Sequence, residues 1–396
     1  MNTPNLKIRF NLARLSLLLF LVAGICQAQT NPSGIQYVCG AQQIKDLRVE
    51  IKQYFDQVGI SPSTYQIVES ADGQTLRYVL NTPDSDTSTI YFKWHPEFDI
   101  QSEVVELPGP KGNHSIDTVS KKEILLALMQ HGRLTQLNGK ACDIQALKDH
   151  VGIRQMIVAW SQKLDWSFPD GDPANWNPEY WHAGDPKKGI PLLTAMTDIF
   201  IHPEKYAFGC FAASKIIMIQ GALDYFERVK GDTEAAQLII DRLQVDGEPL
   251  LNVEPGRMWY FENGIDEAEL KRPGKILDLL TGVAPYNFVP GDWSYFLNTD
   301  PVSHQRLGYE GSNTIYLGSG IFDDFFNDNN HHYLYHEKIT EVYQWKQGVF
   351  NRVRDYDKLA PVSSELLDQL SQSPRNGGFV LRYRAVPYFY KFADLP

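Results

Sequence analysis

One cysteine is the residue in this chain best suited to do chemistry. Cys210 lies in the stretch "YAFGCFAASKIIMIQGALDYF", residues 206–226, where a loop leads into an apolar helix. A cysteine at a helix N-terminus lies at the positive end of the helix dipole, which favours the thiolate form. The preceding Gly209 permits a sharp turn that exposes the backbone. Cys210 is therefore a candidate nucleophile, and the competing interpretation is a small buried side chain, because free cysteines are commonly buried.

The order of elements around Cys210 also suggests catalysis. Apolar residues after the cysteine recur in steps of four and three, as on one stripe of a helix, at Ala212, Ile216, Ile219, Leu223 and Phe226. Short β-like runs come later, at Trp293–Leu297 and Thr314–Leu317. A helix that begins with the nucleophile, followed by strands that carry a base, is the order found in papain-like cysteine enzymes.

The first 28 residues predict export. Lys7, Arg9 and Arg14 form a positive front, an apolar run follows over residues 15–25, and small residues lead to a cleavage point before Gln29. The apolar run is too short for a comfortable membrane span. We therefore expect a secretory signal peptide over residues 1–28 and a secreted or periplasmic mature protein.

Charge and cysteine count narrow the class of protein further. The formal net charge is −11 and becomes more negative without the leader; an acidic chain without basic blocks is a poor nucleic-acid binder. Of the four cysteines, Cys26 leaves with the leader, so an odd number is left in an oxidising compartment. Cys39 and Cys142 each begin a helix-like segment in the N-terminal half, and we pair them as a disulfide. Cys210 is then the free thiol.

The element pattern predicts an α+β protein with two domains. Residues 29–165 combine three helix-like segments with a hairpin formed by Tyr65–Glu69 and Thr75–Asn81. A long connection rich in Pro, Gly, Asp and Trp follows over residues 165–190. After it, helices come first and short strands later, so we expect the domain of residues 166–396 to carry the nucleophile and the domain of residues 29–165 to have a separate role.

Several short segments occur in the order of a known family. They are "WNPEYW" (176–181), "DIF…KYAFGC" (198–210), "VPGDWSYF" (289–296), "EGSNTIYLGSG" (310–320) and "FVLRYRAVPYFYKF" (379–392). This set resembles the spore-coat type of bacterial protein-glutamine γ-glutamyltransferase, or transglutaminase. The resemblance covers roughly residues 176–392 and leaves residues 29–165 without a counterpart.

The resemblance implies a mechanism and a fold. The Cys210 thiolate would attack the side-chain amide of a glutamine, release ammonia, and pass the acyl group to a lysine or other amine. The partner would be a protein or peptide that supplies the glutamine, with an amine as acceptor. The family also implies a papain-like (NlpC/P60-like) domain that needs neither a metal nor another cofactor.

The residues that would assist Cys210 in this family are altered here. The family's glutamate before the nucleophile falls on Gly209, and its second glutamate falls on Ser312, which cannot take a proton at neutral pH. The family's histidine falls on Phe325, or on His331 if a short insertion is allowed. Glu310, two residues before Ser312 and so on the same face of a strand, is one candidate base.

His331 is the other candidate base, and both residues have the alternative interpretation of solvated surface side chains. Trp176 and Trp181 are candidate substrate-groove residues, and the alternative is a packed aromatic cluster. His332 and His336 have metal-ligand spacing if their segment is helical, with no evident third ligand. Asp292 follows Pro-Gly in an expected turn and should bond to backbone amides.

Three functions follow from these observations. The first is an exported cysteine acyltransferase that forms a glutaminyl thioester at Cys210, with the backbone amides of residues 209–211 helping to hold the oxyanion. The second is a thiol amidase, deamidase or peptidase that uses water as acceptor. The third is a catalytically inactive binding protein that retains the fold, and the changes at Gly209 and Ser312 favour it.

Overall fold

The computed structural model describes residues 33–83, 95–167, 174–244, 277–280, 282–325, 332–350, 362–381 and 384–387. The expected leader, residues 1–28, lies outside them. Within these ranges no helix is both long and apolar enough to cross a membrane. Residues from Asn31 to Pro396 cluster into one compact unit.

A four-stranded sheet, a separate hairpin and three helices form the first half. The strands are β1 (Gly34–Val38), β2 (Tyr65–Glu69), β3 (Thr75–Leu80), β4 (Glu103–Gly109), β5 (Gly112–Thr118) and β6 (Leu134–Asn138), and the helices are α1 (Ala41–Gln57), α2 (Lys121–Leu128) and α3 (Ile144–Gln162). The sheet order is β2-β3-β1-β6, with β1 antiparallel to β3 and parallel to β6, while β4 and β5 form the hairpin. The predicted helices and the β2–β3 hairpin are confirmed.

The first half is closed by apolar packing and by a disulfide. α1 buries Ile44, Leu47, Ile51 and Phe55, which recur at helical spacing. The Phe55 ring meets Tyr65 and Tyr78 of the sheet edge-on, with centroids 5.2 and 5.4 Å away. The predicted disulfide between Cys39 and Cys142 is present. It joins the segments that lead into α1 and α3.

Among the described residues of the second half, three helices precede the large sheet, as predicted, but two more helices lie between its strands. Its helices are α4 (Leu192–Ile201), α5 (Cys210–Asp224), α6 (Thr233–Gln244), α7 (Tyr335–Lys346) and α8 (Ser364–Leu370), and its strands are β7 (Trp181–His182), β8 (Asp185–Pro186), β9 (Leu277–Leu280), β10 (Trp293–Leu297), β11 (Gly311–Gly318), β12 (Ile321–Asp323), β13 (His332–Leu334) and β14 (Arg384–Pro387). Six of these strands form an antiparallel sheet in the order β13-β12-β11-β10-β14-β9.

α5 is the central helix of the molecule. The sequence predicted one buried stripe, but nearly every residue of α5 is buried, because α3, α4 and β11 pack around it. Gly221 lies against the backbone of Ile157 in α3, where an added Cβ would overlap the Ile157 nitrogen and Cα. The absence of a side chain at Gly221 therefore lets α3 and α5 approach closely. As a result α3, a helix of the first half, packs along the helix that carries Cys210.

The two faces of the six-stranded sheet pack on different cores. Trp293, Tyr295 and Ile315 belong to the core shared with α3 and α5, whereas Phe296 and Tyr316 belong to a second core with α7. This alternation follows from the strand geometry, which points successive side chains to opposite faces. The face on which a residue lies therefore decides whether it can reach Cys210.

A buried ionic cluster joins the two halves. Both Nη atoms of Arg133, at the start of the segment leading into β6, donate to the Asp292 carboxylate. Arg154 of α3 donates from Nη1 to Asp292 Oδ1 at 2.9 Å, and all three side chains have zero exposure. The expected backbone bond of Asp292 is confirmed, because Val289 N donates to its Oδ2 at 2.9 Å. Burial alone would raise the pKa of Asp292, but the two guanidinium charges hold that pKa below its usual value.

Candidate active site

Cys210 is free and partly exposed, and it is the first residue of α5. The first-turn N–H groups of a helix have no acceptor within the helix, so the thiol lies where a negative charge is favoured. Gly209 has φ −73° and ψ 156°, an extended conformation, and an added Cβ would meet no atom within 4 Å. The freedom that glycine permits is therefore not used at this position, which would accept a side chain.

The side chain that contacts the thiol is Asn313, which sequence reasoning missed. Asn313 Nδ2 lies 3.2 Å from Cys210 Sγ and donates to it. Asn313 Oδ1 accepts from the indole Nε1 of Trp293 at 2.9 Å. Ile315 and Leu317 are the inward apolar residues of β11, so the alternation of this strand could have placed Asn313 on the same face. The thiol therefore has a neutral hydrogen-bond donor beside it.

Ser312 is on the opposite face of β11. It pairs with Phe296, which belongs to the core on the α7 side of the sheet, and successive residues of a strand point to opposite faces. Asn313 pairs instead with Tyr295, which lies on the α5 side. The counterpart of the family's second glutamate is thus directed away from Cys210, and the alternation that linked Glu310 to the face of Ser312 no longer places Glu310 at the thiol.

Glu310 lies close to the site, immediately before β11. Burial raises the pKa of Tyr295, and the charges that Cys210 and Glu310 can carry raise it further. Both groups are therefore within electrostatic reach of one phenol. The Tyr295 hydroxyl itself rests over Gly311, where an added Cβ would collide with it. His331, the other candidate base, lies outside the described residues.

Phe325, the ungapped counterpart of the family's histidine, is part of the packed interior. Its side chain is fully buried and packs on Trp166 with ring centroids 6.3 Å apart. Its carbonyl accepts from Trp166 N at 2.8 Å. Its N–H donates to Asp323 Oδ1 at 2.7 Å, which supports its left-handed φ of 57°. This position therefore offers an apolar ring in place of an imidazole.

The two candidate groove tryptophans differ in exposure. Trp181 is 2% exposed, and its indole donates to Ala195 O at 3.2 Å, so it belongs to a packed aromatic cluster. Trp176 is partly exposed and packs on Trp181 and on Phe208, with centroids 5.2 and 4.6 Å away. Because Phe208 precedes Cys210 by two residues, the cluster supports the loop that leads into α5.

The two histidines with possible metal spacing lie on different elements. His332 is in β13 and His336 is in the first turn of α7, so they do not share a helix as that spacing required. His332 Nε2 lies 3.6 Å from Asp323 Oδ2. The Asp323 carboxylate, as acceptor of a hydrogen bond from the imidazole, raises the pKa of His332 above its usual value, against the effect of burial. Asp323 is itself fully buried and accepts from Ser161 Oγ at 2.7 Å.

Comparison with known proteins gives a family for much of the chain. Residues 118–329 match the family model described as protein-glutamine gamma-glutamyltransferase. Among solved structures, a transglutaminase from Geobacillus stearothermophilus without its C-terminal extension is similar, with 19% sequence identity, a TM-score of 0.39, and coverage of 64% of this chain and 97% of that chain. A search of curated proteins gave no match.

The matched region starts earlier than the sequence resemblance suggested. It begins at Thr118, so the statement that residues 29–165 lack a counterpart is wrong from that residue onward. The additional part includes α2 and α3, and α3 packs along α5. The region that matches the family model therefore includes α3, the helix that packs on α5.

Proposed function

This chain belongs to the protein-glutamine gamma-glutamyltransferase family, and we propose that it is an exported cysteine acyltransferase with Cys210 as its nucleophile. Membership implies protein substrates. The observation that carries the proposal is a free thiol at the first turn of α5, with the amide of Asn313 donating to its sulfur at 3.2 Å. The helix around it is buried, so the sulfur is attached to a rigid element.

The proposed reaction has two steps. The Cys210 thiolate attacks the carbonyl carbon of a glutamine side-chain amide, a C–S bond forms, and the C–N bond breaks as the nitrogen takes a proton and leaves as ammonia. An amine, such as a lysine side chain, then attacks the thioester, loses a proton, and releases the thiolate. The backbone amides of residues 209–211 at the helix start are suited to hold the oxyanion in both steps.

We assign the proton transfers to Glu310, with His331 as the second candidate base. Glu310 is supported by electrostatics, since the charges that it and Cys210 can carry both raise the pKa of Tyr295. Trp176, which is partly exposed next to the segment leading to Cys210, is the proposed groove residue for the substrate. A nucleophile at the start of a helix that packs on an antiparallel sheet supports a papain-like relationship.

The test follows two products at once. The full chain and its Cys210→Ala variant are each mixed with a glutamine-rich protein and a labelled primary amine, and label incorporation and ammonia are measured together. We expect both products from the parent protein and neither from the variant. Ammonia without label would establish a deamidase in its place. If the parent protein yields neither product, the inactive binding protein would be the remaining function.

The assignment of Glu310 has a test of its own. Removal of a general acid–base group typically slows a reaction by a factor of about 10² to 10⁴, so Glu310→Gln should lower the rate of amine incorporation by at least about a hundredfold. Glu204→Gln changes an exposed glutamate next to α4 and is the matched control, with an unchanged rate. If Glu310→Gln and Glu204→Gln incorporate the amine at equal rates, His331 would become the candidate base.

Export is proposed on separate grounds. The Cys39–Cys142 disulfide is compatible with an oxidising compartment, and residues 1–28 have the composition of a leader. We propose cleavage before Gln29 and a secreted or periplasmic protein. N-terminal sequencing of the mature protein would identify the cleavage point, and a chain that retains Met1 would contradict export by this leader.

A further inference from the structure

The amide of Asn313 is held between a sulfur and an indole. An indole Nε1–H can donate a hydrogen bond and cannot accept one. The atom of Asn313 that faces Trp293 at 2.9 Å must therefore be the carbonyl oxygen. The same constraint turns the NH₂ group of the amide toward Cys210 Sγ, 3.2 Å away. The indole thus determines which end of the amide the sulfur meets.

The end that the sulfur meets decides which form of the thiol is favoured. An N–H donor stabilises a thiolate, because hydrogen bonding to the charged form favours that form. An amide turned the other way would place its oxygen at the sulfur, where it would accept from a protonated thiol and repel a thiolate. We propose that Trp293 is a positioning residue that favours the ionised form of Cys210 by fixing the orientation of the Asn313 amide. The proposal rests on the proposed function only for the use made of that thiolate.

The surroundings hold the indole in place. Trp293 is fully buried, and its ring packs on Phe211 with centroids 4.9 Å apart. Its backbone pairs with Ile315, two residues from Asn313 on the same face of β11. The residue before it, Asp292, is bound by two buried arginines. The indole therefore has little freedom to follow the amide if the amide rotates.

Other polar and titratable groups around the sulfur have to stay constant in a test. Tyr295 of β10 is a titratable group near the sulfur, and the charges that Cys210 and Glu310 can carry both act on its phenol. The start of α5 adds its unpaired N–H groups. Because none of these is changed by a substitution of Trp293, a change in the ionisation of the thiol would report the amide.

The experiment compares alkylation of Cys210 at a series of pH values. Iodoacetamide reacts with the full chain in the absence of substrate, and modification of the peptide that contains Cys210 is followed by mass spectrometry. Trp293→Phe keeps an aromatic ring against Phe211 and removes the N–H. Hydrogen bonds to charged groups are worth about a tenfold change in an equilibrium. We therefore expect the midpoint of the alkylation profile to rise by about one pH unit.

The matched control is Trp160→Phe. The Trp160 indole is also fully buried and donates at 3.0 Å, but to Asp224 at the opposite end of α5, roughly 20 Å along the helix. Both variants lose a buried indole hydrogen bond, and comparable losses of melting temperature are expected. Only Trp293→Phe should move the alkylation profile. An equal movement in both variants would reduce the effect to loosened packing and overturn the proposal.

A double-mutant cycle tests whether Trp293 acts through the amide. Asn313→Leu alone should raise the midpoint about as much as Trp293→Phe, and adding Trp293→Phe to Asn313→Leu should cause no further rise. Additive shifts, or an unchanged midpoint in Asn313→Leu, would refute a role through the amide. The alkylation measurements do not require catalytic activity. If the chain gives the expected alkylation results but incorporates no amine, the role of Trp293 would stand and the proposed function would be refuted.

Discussion

Replacing Asp292 by asparagine removes the carboxylate that neutralises two buried guanidinium groups. Arg133 and Arg154 have zero exposure, and both bind Asp292. Arg154 Nε also donates to His150 Nε2 at 2.9 Å, so that nitrogen carries no proton and His150 adds no positive charge through it. In the variant, both guanidinium groups would stay buried and positively charged, and they would face the neutral amide of asparagine and no longer a carboxylate.

The cost can be worked out from this geometry. Removing one partner of a buried ion pair typically destabilises a protein by about 3–5 kcal/mol, and here one carboxylate serves two arginines. We expect Asp292→Asn to lower the free energy of unfolding by about 4 kcal/mol or more. The unfolding entropy of about 2.1 cal/mol/K per residue amounts to roughly 0.8 kcal/mol/K for a unit of this length, so the melting temperature should fall by about 5 °C.

Calorimetry of the full chain and two further variants would check this value. Glu69→Gln breaks the exposed Arg48–Glu69 pair and should shift the melting temperature by less than about 1 °C, because surface pairs contribute little. The triple variant Arg133→Met, Arg154→Met, Asp292→Leu should regain most of the loss, since apolar side chains can replace a buried ion pair. If the melting temperature of Asp292→Asn falls no more than that of Glu69→Gln, the reasoning would be refuted.

The pH dependence of this cluster has a defined sign. The pKa of Asp292 is lower in the folded chain than the ordinary value near 4. Its contribution to stability is therefore complete above about pH 4 and is lost as the pH falls through the folded pKa. The difference in unfolding free energy between the parent chain and Asp292→Asn should accordingly shrink in strong acid.

Further predictions concern other parts of the chain. The pKa of His332 is raised by Asp323, so its contribution to stability is present below about pH 6.5 and is lost as the pH rises through the folded pKa; urea unfolding should show the parent chain more stable than His332→Asn at pH 6 and equal to it at pH 9. The Cys39–Cys142 disulfide spans 103 residues, so the double variant Cys39→Ala, Cys142→Ala should lose about 2–5 kcal/mol by denaturant titration, and an unchanged midpoint would contradict this. Gly209 has an ordinary extended backbone and free space at its Cβ, so Gly209→Ala should melt within about 2 °C of the parent chain or slightly above it.

The sequence predicted local elements well because their signals are local. The helical spacing of Ile44, Leu47, Ile51 and Phe55 gave α1, and the turn between β2 and β3 gave the hairpin. The disulfide followed from counting cysteines and from the compartment. The start of α5 at Cys210 followed from the change of apolar pattern after Gly209.

The relationships between distant segments could not be read in the same way. The burial of α5 on all sides depends on α3, and no pattern within α5 specifies that neighbour. The position of Asn313 at the thiol depends on the register between β10 and β11, where Tyr295 pairs with Asn313 and Phe296 with Ser312. A shift of one residue would exchange their faces. Motif matching alone selected Ser312, and the strand face selects Asn313.

The buried ionic cluster also constrains when the molecule can be completed during synthesis. Arg154 and Arg133 precede their counter-ion by 138 and 159 residues. Until Asp292 has emerged, burying either guanidinium group would leave an unpaired charge in the interior, so both must keep their hydration. The surroundings of Arg133 and Arg154 are therefore expected to pack only when Asp292 is present. In a polypeptide translated from its N-terminus, we expect the contact between Arg133, Arg154 and Asp292 to form late, after the strand that follows Asp292 has been made.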